Sequence, residues 1–389
     1  MSAPRFAARI ERTAAPPIPA VRAWAARYAG AAGPLLDMTQ AVPGYPAHPE
    51  LLARLGAAAA DPAQAGYGPI EGDMPLRAAL AADIAGTYGA DIAAEEVVIT
   101  AGCNLAFAMA METIAGAGDA VLLPTPWYFN HRMALEMLGI EAVPLPARAE
   151  DGFVPDPATA AALIGPATRA IVLVTPNNPT GAIYPAATIA GFAALCRARG
   201  LWLVLDETYR DFLPEDAIAH DLFRDGAWRD GVVQLYSFSK SYCVPGHRVG
   251  AILAGPAFRA QLAKAVDTFQ ICPPRAAQAA LAWGVPALAD WRAGNRAIMA
   301  GRADAFRRAL APLQDWRIES MGTYFAYLRL PEAAPDAEAA AERLAVERGL
   351  LCLPGSFFGP GQARHIRLAF ANAEVSTIAG VTARLAGFA

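Results

Sequence analysis

The sequence predicts an α/β fold: a large unit with a mostly parallel sheet between helices, joined to a smaller α+β unit. Three observations predict it. From about residue 75, helix-like and strand-like segments alternate along the chain. Several strand candidates are continuous apolar runs rather than alternating ones, as expected of strands buried on both faces. After about residue 285 the texture changes to one long helical stretch followed by short, mixed segments.

The elements follow in order. Residues 76–88 carry Leu, Ala and Ile at helical spacing, 97–100 is short and β-branched, and 105–114 reads as a helix. Buried strands are expected at 120–123, 170–174, 202–205, 232–236 and 249–253. Beyond them, 291–313 suits one long helix, and 324–330 alternates like a strand of a half-exposed sheet. A helix at 337–347, strands at 351–353 and 366–370, and a final helix from Ser376 complete the smaller unit. The first 45 residues hold Pro, Gly and one helix candidate at 21–26, and are expected to pack on the C-terminal unit. The expected division is therefore 1–45 as an arm and part of the small unit, 46–285 as the large unit, and 286–389 as the small one.

Composition narrows the function. The chain has 389 residues, 55% hydrophobic and 17% charged, which is the make-up of a globular chain with a large core. A net charge of −4, with no basic run, argues against a nucleic-acid surface. No apolar stretch is long enough for a signal peptide or a membrane span. The five cysteines are scattered, without a C-x-x-C pair, and no His-Glu-x-x-His occurs. No metal site is expected, and a reducing, cytoplasmic setting fits best.

Chemistry concentrates in a few places. Lys240 follows a buried strand and a Ser-Phe-Ser turn, with Arg248 eight positions on. A lysine so held near positive charge has its pKa lowered from about 10.4, as a Schiff-base amine requires. Asp206 ends a run of five apolar residues, where a carboxylate can pair with a protonated pyridine nitrogen. Tyr209 and Asn178 are candidate donors to a ring oxygen. Gly102, Cys103 and Asn104 lie between a strand and a helix and offer N–H groups to a phosphate, while Ser237 and Arg248 add a hydroxyl and a guanidinium. By contrast, the Gly-rich run at 66–72 lacks the spacing and the preceding strand of a dinucleotide fingerprint.

These motifs together resemble the class I/II aminotransferases, fold-type I enzymes of pyridoxal 5'-phosphate. GYGPIEG at 66–72, AGCN at 101–104, PNNPTG at 176–181, DETY at 206–209, SFSK at 237–240, GHRVG at 246–250 and HIRLAF at 365–370 run in the family's order over nearly the whole chain. The resemblance implies a seven-stranded, mostly parallel sheet in the large domain and a small domain built from both termini. It makes Lys240 the Schiff-base lysine and proton carrier, with Asp206 on the pyridine nitrogen and Tyr209 and Asn178 on the ring oxygen. Tyr128 falls where the family stacks an aromatic on the ring, with Trp127 as the alternative. Gly102, Cys103, Asn104, Ser237 and Arg248 would surround the phosphate. Tyr67 would reach the phosphate of a neighbouring subunit in a homodimer. Arg367 would clamp the substrate α-carboxylate, with Asn178 and Ala41 also on the substrate.

The implied activity moves an amino group between an amino acid and a 2-oxo acid. Elimination, ring closure and oxidation share the same carbanion and form the alternative reading. A non-catalytic regulator would carry a DNA-binding domain, and the 45 mostly non-basic residues ahead of the large unit do not suit one. Residues 266–274 lack the arginine that dicarboxylate-specific members usually have there, with Arg275 just beyond.

Overall fold

The computed structural model describes residues 4–215, 217 and 220–388. Seven strands form the large sheet: β1 (Val97–Thr100), β2 (Ala120–Thr125), β3 (Glu141–Pro146), β4 (Thr168–Val174), β5 (Trp202–Asp206), β6 (Val232–Ser237) and β7 (Gly250–Ala254). Their order is β1-β7-β6-β5-β4-β2-β3. Only β7 runs against the rest, antiparallel to both of its neighbours. The expected mostly parallel sheet is therefore present.

The apolar runs divide by parity, as a strand's alternating side chains require. Val98, Val172, Val204 and Val233 face helices Cys103–Ile114 and Pro256–Gln270. Ile99, Ile171, Leu203 and Leu205 share the opposite core with helices Pro49–Ala60, Met74–Tyr88 and Arg275–Ala287. Helices on both faces explain why these strands read as unbroken apolar stretches.

The second sheet has four antiparallel strands: β8 (Arg317–Gly322), β9 (Phe325–Arg329), β10 (Leu353–Pro354) and β11 (His365–Ala369), in the order β10-β11-β9-β8. Its core takes Phe306 and Leu310 from helix Ala289–Leu310 and Leu344 from helix Ala337–Arg348. The N-terminal segment joins it. Leu36–Asp37 pairs in parallel with Leu350–Leu351, and Met38 is fully buried in the same core.

Several elements differ from expectation for identifiable reasons. β9 is not half-exposed: residues 325–328 are all buried, because it is a central strand covered on both sides. The strand expected at 351–353 is two short pieces serving different sheets, separated at the buried Cys352. The C-terminal helix is divided at Gly380 into Val375–Ala379 and Val381–Leu385. Among the described residues, no helix is long and apolar enough to cross a membrane, and no cluster of His, Cys, Asp or Glu is placed to hold a metal ion.

Candidate active site

Parallel sheets gather their loops at the carboxyl ends of the strands, and ligands bind there. In this chain β1, β2, β4, β5 and β6 deliver Cys103, Tyr128, Asn178, Asp206 and Ser237 to one cavity of about 470 Å³. Lys240, Tyr209, Asn104, Arg248, Arg367 and Ala41 line the same cavity.

Lys240 stands on the single helical turn Phe238–Ser241 that continues β6. Its Nζ faces the cavity and donates to the Ala41 carbonyl at 2.6 Å. Burial lowers its pKa to about 8, helped first by Arg367 and then by Arg248, against the opposing charges of Cys103 and Asp206. The sequence pointed to Arg248 as the cation; Arg367 is the stronger one. With that pKa about half of the amine is neutral at pH 8, against about 0.4% for an ordinary lysine. Capture of an added aldehyde by the cofactor-free protein should therefore quicken as pH rises and level off above about 8. A stopped-flow absorbance series across pH 6–10 checks this. A rate still climbing tenfold per unit at pH 9.5 would mean an unperturbed amine.

The sequence holds a further clue to this residue. It contains two lysines, Lys240 and Lys264, and Lys264 is exposed on helix Pro256–Gln270, bonded to Gln261. Counting lysines leaves two candidates, and the fold exposes one of them.

Asp206 is buried at the end of β5. Its Oδ1 accepts from the Thr208 amide at 3.0 Å and hydroxyl at 2.7 Å, and its Oδ2 lies 3.1 Å from His131 Nε2. Burial opposes its ionisation, but His131 and Thr208 outweigh that and hold the carboxyl below its ordinary value. His131 is itself fixed by stacking on Phe107, with ring centroids 3.9 Å apart. Sequence reading assigned neither His131 nor Thr208 a role. Tyr209 is buried against Tyr324 and Phe325. Tyr128 opens onto the cavity, with burial pushing its phenol up to about 12. Trp127 instead packs into the core beneath Gly359.

The chain supplies an anion cradle. Gly102 precedes helix Cys103–Ile114, whose first N–H groups have no partner within the helix. Gly102 has φ +94°, and a Cβ there would overlap the Arg248 guanidinium. Arg248 also donates to the Pro245 carbonyl at 2.9 Å, and Ser237 lines the cavity beside it. A helix start, a close guanidinium and hydroxyls are the donor set of a phosphate site. Together with the buried amine and carboxylate, they fit pyridoxal phosphate.

Arg367 comes from β11 in the second sheet. Its Nη1 donates to Asn178 Oδ1 at 2.9 Å and its Nη2 to the Thr39 carbonyl, while Nε has no partner. Phe325 and Phe358 lie against the guanidinium, and burial lowers its pKa to about 10. A buried cation with an orphaned N–H beside a cavity is set to receive an anion. Gly181 of the PNNPTG turn and Gly322 at the end of β8 cross so closely that a Cβ on either would overlap the other's backbone. That crossing ties Asn178 to the sheet that carries Arg367.

Tyr67 lies away from the cavity, on the surface. It is 82% exposed and borders a surface hollow with Phe269, Gln270 and Cys272.

The sequence matches the family described as aminotransferase class I and II over residues 34–385. The chain belongs to this family. Similar proteins include an arginine–pyruvate transaminase of Pseudomonas aeruginosa, 32% identical over 78% of this chain and 77% of that one. A valine–pyruvate aminotransferase of Mycobacterium tuberculosis is 30% identical over 93% of both chains. Among solved structures, an aminotransferase from Mycobacterium tuberculosis superposes with a TM-score of 0.88 at 28% identity, covering 98% of each chain. A Thermus thermophilus aspartate aminotransferase with maleate gives 0.88 at 25%, covering 99% of each. This aminotransferase accordingly depends on pyridoxal phosphate and moves an amino group between an amino acid and a 2-oxo acid.

Proposed function

We propose that Lys240 anchors the cofactor and carries the proton of this aminotransferase, with Arg367 binding the α-carboxylate of both amino acid and oxo acid. The observation that carries the reading is the partly buried Lys240 amine, its pKa lowered to about 8, in one cavity with Asp206 and Arg367. When bound, pyridoxal phosphate supplies an electron-withdrawing ring. Asp206, kept ionised by His131 and Thr208, would hold that ring's nitrogen protonated. Tyr209 and Asn178 would bond the ring oxygen, and Tyr128 would cover the ring face. Cys103 and Asn104 N–H groups, Ser237 and Arg248 would hold the phosphate, with Gly102 giving the guanidinium room. Ala41 offers its carbonyl to the Lys240 amine, which orients Nζ toward the cavity.

Borohydride reduction of the holoenzyme followed by peptide mapping tests the assignment. The label should sit on Lys240. A label on Lys264, the one alternative in the sequence, would overturn it.

The working form in this reading is a homodimer, with the exposed Tyr67 reaching the partner's phosphate. Phe269 and Ile271, 55% and 48% exposed, support a partner covering this face. Sedimentation at assay concentration should give twice 40.8 kDa, and a stable monomer with full activity would sink it. The division at residues 45 and 285 belongs to the same proposal. It is supported by Met38 and helix Ala289–Leu310 joining the smaller core while helices Pro49–Ala60 and Arg275–Ala287 join the larger. The five cysteines are free thiols, which supports a cytoplasmic setting.

A further inference from the structure

The charged groups of the cavity all have partners within the chain. Lys240 donates to Ala41, Arg248 stands against Gly102 and bonds Pro245, and Arg367 bonds Asn178 and Thr39. Asp206 holds His131 and Thr208. The rest of the lining is different. Pro16, Pro17 and Ile18 from the N-terminal segment line the cavity together with Val42, Phe129 and Met133, with Gln40 and Asn130 as uncharged polar groups. Arg132, the cation next to Met133 in sequence, points away: it pairs with Glu136 at 2.5 Å and lies over Trp127.

From this division we infer that the amino donor carries an uncharged, apolar side chain, and that Ile18, Val42 and Met133 select it. The inference rests on Arg367 taking the α-carboxylate. That contact directs the donor's side chain away from the charged groups and toward the apolar wall. A second carboxylate, an ammonium or a guanidinium would lose its water there and meet no opposite charge. An aliphatic, thioether or aromatic side chain loses nothing and removes apolar wall from water. A second copy docked through Tyr67 does not reverse this. The exposed side chains beside Tyr67 include Phe269 and Ile271, and the nearby Arg275 is already engaged by Asp73 at 3.4 Å and the Ala63 carbonyl at 2.8 Å. The names of the relatives include both valine and arginine as donors, so the wall of this chain's own cavity carries the choice.

The test uses the holoenzyme with pyruvate as acceptor. It compares kcat/KM for leucine, methionine and phenylalanine with that for aspartate, glutamate, arginine and lysine. The apolar donors should exceed the charged ones by about 100-fold or more. Equal or better rates with a charged donor overturn the inference while leaving the aminotransferase reading standing. Failure of every donor to transfer its amino group overturns that reading and the inference with it. Met133→Arg should move the glutamate-to-leucine ratio of kcat/KM upward by about tenfold or more, since it places a cation in the wall. An unchanged ratio in that variant shows that Met133 does not face the side chain. Arg275→Gln should leave the same ratio where it was; a selective loss of glutamate activity would make Arg275 the counter-ion and refute the proposal.

Discussion

Lys240→Ala is expected to abolish turnover of amino acids while leaving the fold intact. The side chain stands at the cavity wall on a helical turn whose other residues pack inward, so its removal leaves the neighbouring core untouched. Positioned proton transfer alone contributes about 10²- to 10⁴-fold to such reactions, and the covalent anchor is lost as well. Lys240→Arg separates charge from chemistry. It restores a cation beside Asp206, but a guanidinium keeps its proton at every working pH. Both variants should therefore be equally inactive in single-turnover absorbance measurements with a saturating amino acid. If Lys240→Arg kept more than a few per cent of the wild-type rate, Lys240 would be serving as a positive charge rather than as a base. The assignment of the proton carrier would then fail.

Much of this site was legible in the sequence because its residues end strands. Asp206 closes a run of apolar residues and Ser237 closes a mostly apolar strand, which places both at the carboxyl edge of the sheet. What escaped detection depends on contacts between distant segments. His131 reads as one histidine in an aromatic stretch, and its value comes from Asp206, which the fold brings to 3.1 Å. β3 was missed because Pro144 and Pro146 interrupt it and most of its residues are not buried. It survives as an edge strand, paired on one side only, where missing N–H groups are tolerated. β8 was missed for a related reason: it is half-covered at the rim of the second sheet, so its sequence shows neither a continuous apolar run nor a clean alternation. Arg367 was legible within a motif. Its depth was not, because Asn178, Thr39, Phe325 and Phe358 come from four separate parts of the chain.

The same blindness hid the group of charges behind Lys240, and its loss should cost the most stability. Asp83 on helix Met74–Tyr88 bonds Arg210 at 2.5 Å and Arg292 at 2.7 Å. Arg292 also bonds Asp211 at 2.9 Å, and Asp211 accepts from the Tyr236 hydroxyl at 2.6 Å. Tyr236 in turn meets the Ser241 hydroxyl at 2.9 Å. Tyr236 precedes Ser237 and Ser241 follows Lys240, so this chain of contacts fixes the turn that carries the amine. The Arg210 side chain is 2% exposed and that of Asp83 14%, so water replaces a lost partner poorly. Asp83→Ala would leave the buried Arg210 without its ion-pair partner and Arg292 with Asp211 alone, and breaking such a largely buried pair costs about 3–5 kcal/mol. Asp304→Asn is the control. Its pair with Arg307 is about as close, at 2.7 Å, but both side chains are more than half exposed. Exposed pairs of this kind contribute about 0.2–1 kcal/mol. Urea unfolding followed by fluorescence should therefore show a large drop in midpoint for Asp83→Ala and almost none for Asp304→Asn. Because the cluster backs the catalytic turn, Asp83→Ala should also lower kcat under conditions where it remains folded. A midpoint shift no larger than the control's would mean that Arg210 and Arg292 find other partners, and that the turn holding Lys240 is fixed by packing instead.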